Sequence, residues 1–259
     1  MTANNLVNSK QIDKTLIKEE NLTILFQDDD LVAVHKPAGL LVHKSPIDKH
    51  ETRYAMKILR NQIGCWVYPV HRLDKPTSGI LLFALSPEAA KATSQQFEER
   101  QVQKHYRAVV RGYTPESDII DHPLKEIAAF KSEKEQAENK EAKNATTKLT
   151  RIKTFELPFS DGRFSTSRYS LVELKPETGR KHQLRRHMKH ISHPIIGDVK
   201  YGKGEHNRLF KRQFESERLL LAAVKLIISH PSTGKELELE CPLEESFEKT
   251  LQQLAPFSC

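Results

Sequence analysis

From Leu22 onward, apolar residues recur at two alternating periods, and those periods divide the chain into elements. Residues 1–21 are polar and show neither period, so they read as a poorly anchored tail. Thr23-Ile24-Leu25-Phe26 and Leu31-Val32-Ala33-Val34-His35 flank an acidic turn at Gln27 to Asp30, which predicts a hairpin. Lys36-Pro37-Ala38-Gly39 ends it in a loop. Thr52 to Gln62 has the pattern of a helix, and Tyr68 to Arg72 that of extended chain. The continuous apolar run Gly79 to Leu85 suits a strand buried on both faces. Ser86-Pro87 is a helix start, a Ser cap followed by Pro at the first helical position, and the helix runs to about Arg100.

Gln103 to Arg111 alternates and stops at Gly112, as a strand does. Residues 125–148 are mostly Lys, Glu, Ala and Asn, which reads as a solvated and mobile insert with room for some helix. Strands are predicted over Arg151 to Phe155 and Phe164 to Leu174. A turn at Thr178-Gly179 precedes a helix over Arg180 to Ile191. Two more strands, Leu219 to Ser229 and Glu236 to Glu240, flank the turn Pro231-Ser232-Thr233-Gly234, and a last helix starts near Glu244. No internal repeat is present. Hairpin-length links between mixed elements predict an α+β fold: a mixed, largely antiparallel central sheet with flanking helices.

Composition narrows the function. The 259 residues carry a net charge of +7. That excess fits an anionic partner, nucleic acid above all, although it also lies within the ordinary range for solubility. Three scattered cysteines, Cys65, Cys241 and Cys259, suggest a reducing compartment. The N-terminus has no apolar segment of a secretory signal, and runs such as Leu219 to Val224 are too short to span a bilayer. A soluble, cytoplasmic protein is expected. The chain contains no phosphate-binding Walker loop, no dinucleotide-binding glycine pattern and no serine elbow, which argues against nucleotide-dependent, NAD-dependent and serine-hydrolase chemistry.

Three segments carry candidate chemistry. In His71-Arg72-Leu73-Asp74-Lys75-Pro76-Thr77-Ser78-Gly79, one carboxylate stands among basic neighbours at the mouth of a buried strand. A nearby arginine favours its charged form, which suits a nucleophile or electrostatic stabiliser. Taken alone, a turn aspartate paired with Arg72 explains the segment at least as well. In Gly179-Arg180-Lys181-His182-Gln183-Leu184-Arg185-Arg186-His187, helical spacing places Leu184, Met188 and Ile191 on one stripe. Arg185 lies at its edge, and Arg186 and Lys189 lie toward solvent. An ordinary amphipathic helix with a basic face reads the same way. His182, His187, His190 and His193 lack the spacing of zinc ligands and sit among cations, so they are RNA-facing or packed. In Lys104 to Gly112, Tyr106, Ala108 and Val110 share one strand face. Tyr106 there is either a core residue or a ring on which a base can stack.

These three segments, in this order, resemble the RluA-type pseudouridine synthases. The matches are His-Arg-Leu-Asp then Thr-Ser-Gly at 71–79, Tyr106 in a Lys-x-Tyr-x-Ala-x-Val-x-Gly strand, and Gly-Arg-x-His-Gln-Leu-Arg-x-His at 179–187. Lys36-Pro37-Ala38-Gly39 and His193-Pro194-Ile195-Ile196-Gly197-Asp198 agree, so the resemblance runs from about Leu22 to about Leu243. It implies the pseudouridine synthase fold with a central catalytic cleft, in a single catalytic domain over 22–259 with no S4 domain before it. Asp74 resembles the catalytic aspartate, Tyr106 the aromatic that stacks on the target base, and Arg185 the partner of the aspartate. Arg72 resembles the residue that displaces or replaces the flipped nucleotide. His71, Thr77, Arg180 and Lys36 complete the implied substrate-binding set.

The implied reaction breaks the N-glycosidic bond of a uridine, turns the base and rejoins it through C5. It uses no metal, cofactor or nucleotide, and its partner is RNA, bound by a monomer. The insert, with Ala145-Thr146 before a strand, and the Arg180 to His193 block with Gly197-Asp198 after it resemble one branch most. That branch modifies tRNA in the lower acceptor stem, at nucleotide 65. A ribosomal RNA substrate and a non-catalytic RNA-binding module are the alternatives. The chain departs from the family pattern at His35, where many members have Asn, and at Ala222, where a His often stands.

Overall fold

The computed structural model describes residues 21–44, 51–128, 140–160 and 162–259. The expected tail, Asn21 excepted, and the centre of the expected insert lie outside the described residues. Among the described residues the strands are β1 (Thr23–Gln27), β2 (Leu31–Lys36), β3 (Tyr68–Pro69), β4 (Ser78–Ala84), β5 (Gln103–Arg111), β6 (Ser117–Asp121), β7 (Thr146–Leu157), β8 (Ser167–Pro176), β9 (Leu221–Ser229) and β10 (Glu236–Glu240). The helices are α1 (Ala55–Ile63), α2 (Pro87–Glu98), α3 (Gln183–His190), α4 (Gly204–Phe214) and α5 (Glu245–Leu254). One open sheet runs in the order β1-β2-β4-β9-β5-β8-β7-β6, with β10 on β9 and β3 on β4. It is mixed and mostly antiparallel, as the pattern predicts. Among the described residues no helix is long and apolar enough to cross a membrane.

The period of two along each strand builds a core on both faces. In the first half of the sheet, Val32, Val34, Leu81 and Phe83 pack under α1, while Leu31, Ala33, Ile80 and Leu82 pack with Ala89 of α2. In the second half, Ala108, Val110, Val172 and Leu174 pack against Leu184 and Met188 of α3. Val109, Tyr169 and Leu171 face α4 and α5 through Phe210, Phe214 and Phe247. Each fully buried Leu or Phe contributes about 1.5–3 kcal/mol, so these layers hold the connecting loops in place.

The halves meet where β4 and β9 run parallel, paired as Ser78↔Ala222 and Gly79↔Ala223. Ala223 also pairs with Tyr106 of β5 on its other edge. Gly79, Ala223 and Tyr106 therefore form one row across three strands. Gly79 has φ 111°, and a Cβ there would lie 2.0 Å from the Ala223 oxygen.

Several boundaries differ from expectation. β7 starts at Thr146 because Thr147 and Leu149 alternate inward, with a threonine filling an apolar position. α3 starts at Gln183 instead of Arg180 because His182 takes a left-handed backbone with φ 57°. Neither α4 nor the five-residue β6 is foreseen in the pattern.

Gly79→Ala is expected to cost about 3 kcal/mol or more, from a forbidden φ and a backbone collision. Thermal unfolding would show this as a Tm drop of roughly 6–12 °C. An unchanged Tm would contradict the close approach of β4 to β9.

Candidate active site

Asp74 opens a tight turn at the mouth of β4, in which its carbonyl accepts from Thr77 N at 3.0 Å. The turn is tied down from behind by Lys36, which is 0% exposed. The Lys36 ammonium donates to the carbonyls of Pro37 and Leu40 at 2.8 Å and of Lys75 at 3.1 Å. Three hydrogens meet three acceptors, and Gly39 N adds a bond to the same Lys75 carbonyl. Burial pulls the Lys36 pKa down to about 7, and the charge of Glu244 opposes that fall. On the far side of the turn, Ser78 accepts from Arg218, which also pairs with Glu244.

The other half of the sheet supplies Arg185. Its Nη1 donates to Asp74 Oδ2 at 3.2 Å, across 111 residues of sequence. Its Nε and Nη2 grip both oxygens of Asp198, at 2.7 and 2.9 Å. Arg185 is 5% exposed and Asp198 2%. A buried ion pair is tolerated only when its remaining valences are filled. Asp198 Oδ1 accepts from the backbone N–H of Lys200 and Tyr201, both at 2.9 Å. Burial would raise the Asp198 pKa, but the Arg185 bonds and these N–H groups outweigh it and hold it below the usual range. The guanidinium is thus a bridge. One carboxylate fixes it, and it presents Nη1 to Asp74, which keeps a fifth of its side chain open to solvent.

Tyr106 stands half-buried on the face predicted for it, against the Ala108–Val110 core. Burial, reinforced by the negative charge of Asp74, raises its pKa, so the group is a phenol at working pH. The helix start is fastened by Gln183, whose side chain accepts from Thr178 Oγ1 and Arg180 N and donates to Thr146 O and Thr147 Oγ1. His182 brings its Nε2 within 3.9 Å of Asp74 Oδ1.

The other expected residues divide into two groups. Arg72 is exposed and has no hydrogen bond or ion pair among the described residues. Arg180 lies at the turn before α3, with Nε on Asn144 O. Lys36 and Thr77, by contrast, are buried in the support of the aspartate turn. His71 accepts from Leu82 N at 2.9 Å and stacks on Phe97, so it braces β4. Arg186, expected in solvent, is half-buried and donates to Lys125 O. His187 is buried between Thr147 Oγ1 and His122 O, His190 stacks on His122, and His193 donates to Arg111 O.

A family model described as RNA pseudouridylate synthase matches residues 30–190, a span that contains Asp74, Tyr106 and Arg185. The chain belongs to the RNA pseudouridylate synthase family. It is therefore an isomerase. Proteins named tRNA pseudouridine synthase C from Vibrio parahaemolyticus and Pasteurella multocida are similar along most of their lengths. The first is 48% identical over 88% of this chain and 93% of its own. The second is 50% identical over 84% and 90%. Among solved structures, human RNA pseudouridylate synthase domain containing 4 superposes with a TM-score of 0.68 at 27% identity, covering 90% of this chain and 93% of that one.

Several contacts of the site join residues that the motifs alone do not connect. Asp198, Gln183 and Tyr201 act through contacts that no single segment contains. Asp198 was visible only as part of Gly197-Asp198.

Three neutral histidines give this pseudouridine synthase a pH signature. Burial is the main cause of each depressed pKa: to about 3 for His71 and about 4 for His182 and His187. In the unfolded chain each titrates near 6.5. As pH falls from 6.5 toward 4, the unfolded state binds protons that the native state refuses, so stability is lost. The urea midpoint should drop across this window, and His187→Gln should make the drop shallower. A midpoint independent of pH there would contradict the assignment.

Proposed function

We propose that this enzyme converts a uridine in the lower acceptor stem of tRNA, nucleotide 65, to pseudouridine, with Asp74 as nucleophile on an extruded base. The observation that carries the reading is the Asp74 carboxylate, partly open and held on Arg185 beside the Tyr106 phenol. The names of its relatives in Vibrio and Pasteurella support tRNA as the substrate.

A uracil stacked in a stem is out of reach, so the nucleotide must be flipped at a cost of a few kcal/mol. Exposed Arg72, two residues before Asp74 and without a protein partner among the described residues, is available to fill the space left behind. The net charge of +7 favours the phosphate backbone. The Tyr106 ring receives the extruded base. Asp74 attacks C1′, and the electron pair of the C1′–N1 bond leaves with the uracil. The freed base turns, its C5 attacks C1′, the carboxylate departs, C5 gives up its proton to solvent, and N1, which left with the electron pair, takes one up. Arg185 fixes Asp74 for the attack and accepts it again as a leaving group. Being a phenol, Tyr106 serves as a hydrogen-bond donor or proton carrier and not as a standing anionic base.

Tritium release from C5-labelled uridine in tRNA tests this. Asp74→Asn should lower release by about 10⁴-fold or more, and replacing uridine 65 of the transcript by cytidine should abolish it. Release from Asp74→Asn at the wild-type rate would overturn the nucleophile, and release from the cytidine transcript would overturn the position.

A further inference from the structure

His182 is built into the site more deliberately than a helix-start residue requires. It holds a left-handed backbone, φ 57°, which is uncommon outside Gly, although Asn, Asp and His adopt it more readily than other residues. Strain of this kind costs about 1–3 kcal/mol and persists where the surroundings enforce it. Here the conformation turns the ring between two partners. Nδ1 lies 2.9 Å from the Tyr201 hydroxyl, and Nε2 lies 3.9 Å from Asp74 Oδ1. Nε2 makes no hydrogen bond among the described residues and is not among the buried unpartnered atoms. It therefore opens on the same space as the Asp74 carboxylate.

Electrostatics selects the tautomer. A lone pair on Nε2 would face a carboxylate, whereas an N–H there is attracted to it. The Tyr201 hydroxyl must then donate to Nδ1. Tyr201 can do so because burial, the largest effect, keeps its hydroxyl protonated. Its ring is itself fixed, lying against the Arg185 guanidinium at 5.2 Å and near Lys189 and Lys200. The charges around His182 are Asp74 from the turn, Arg185 on α3 and Lys181 just before it, and Lys200 from the loop after Asp198. Burial outweighs the attraction of Asp74 for a proton, and the three cations oppose one as well, so the ring stays neutral.

We infer that His182 is a further catalytic group, whose Nε2–H donates a hydrogen bond to a uracil carbonyl oxygen as the C1′–N1 bond breaks. This rests on the Asp74 reading above. When the bond breaks, its electron pair spreads over N1 and the carbonyl oxygens of the departing base. A neutral donor fixed in advance stabilises that charge without surrendering a proton. Tyr201 is a positioning residue that holds the tautomer.

Two replacements of unequal strain separate catalysis from structure. His182→Asn suits the left-handed backbone but places nothing at the Nε2 position. His182→Gln suits it less well but carries an amide N–H there. Single-turnover rates on tRNA should fall about 10²–10³-fold for His182→Asn, with tRNA affinity held within about threefold. His182→Gln should recover about tenfold of that loss despite its greater strain. Tyr201→Phe should lower the rate about tenfold. A His182→Asn rate within about twofold of wild type, a loss confined to affinity, or Asn outperforming Gln would each overturn the assignment. If His182→Asn fails to fold, a wild-type rate for Tyr201→Phe overturns it. Asp74→Asn runs in parallel: turnover in that variant would instead mean that the underlying reading of the site is wrong.

Discussion

The Arg185 guanidinium between two carboxylates is the interaction on which the site depends. It is buried, so it cannot take its counter-charges from water, and losing one partner of such a pair costs about 3–5 kcal/mol. Asp198 therefore sets the position of Arg185, and Arg185 the orientation of the Asp74 carboxylate. The demand spreads outward from there. Position 197 requires Gly, because φ there is 79° and a Cβ would lie 1.8 Å from the Arg218 oxygen. Asn207 of α4 accepts from Gly197 N and donates to Asp198 O. A helix with no side chain at the chemistry thus sets the carboxylate that sets the arginine.

The sheet provides the matching half of the geometry. Asp74 belongs to the β3–β4 side and Arg185 to the β5–β8 side, and the two sides join at a parallel contact in which Gly79 and Tyr106 flank Ala223. Apolar layers on both faces make that seam rigid. Lys36 and Arg218 then pin the aspartate turn with partly buried, charge-assisted hydrogen bonds. The result is a carboxylate on a fixed mount with one face left open, which is the preorganisation that attack on a sugar carbon requires.

Much of this was legible in the chain because the informative residues sit in contiguous runs. Asp74 at the mouth of a seven-residue buried strand, Tyr106 on the inward face of β5, and Arg185 at the edge of an apolar stripe all lie where local periodicity puts them. What stayed hidden depends on distant contacts. Local pattern makes Lys36 a loop cation and His71 a neighbour of the aspartate, but their partners are main-chain atoms, Leu40 O and Lys75 O for one and Leu82 N for the other. The inward positions of α4 are His206, Leu209, Phe210 and Phe214, and a histidine on the stripe masks its period. β6 buries only Ile120, too little for a period of two to show. His182 and Tyr201 are nineteen residues apart, and only the fold makes them a pair.

The most direct measurement of the central claim is the single-turnover rate of Asp198→Asn on tRNA, in protein whose melting curve remains cooperative. The substitution keeps the side-chain volume and an acceptor for the Lys200 and Tyr201 N–H groups, but it removes the charge that fixes Arg185. The rate should fall about 10–100-fold with tRNA affinity nearly unchanged. A wild-type rate would contradict it, since Asp74 would then be positioned without the bridge.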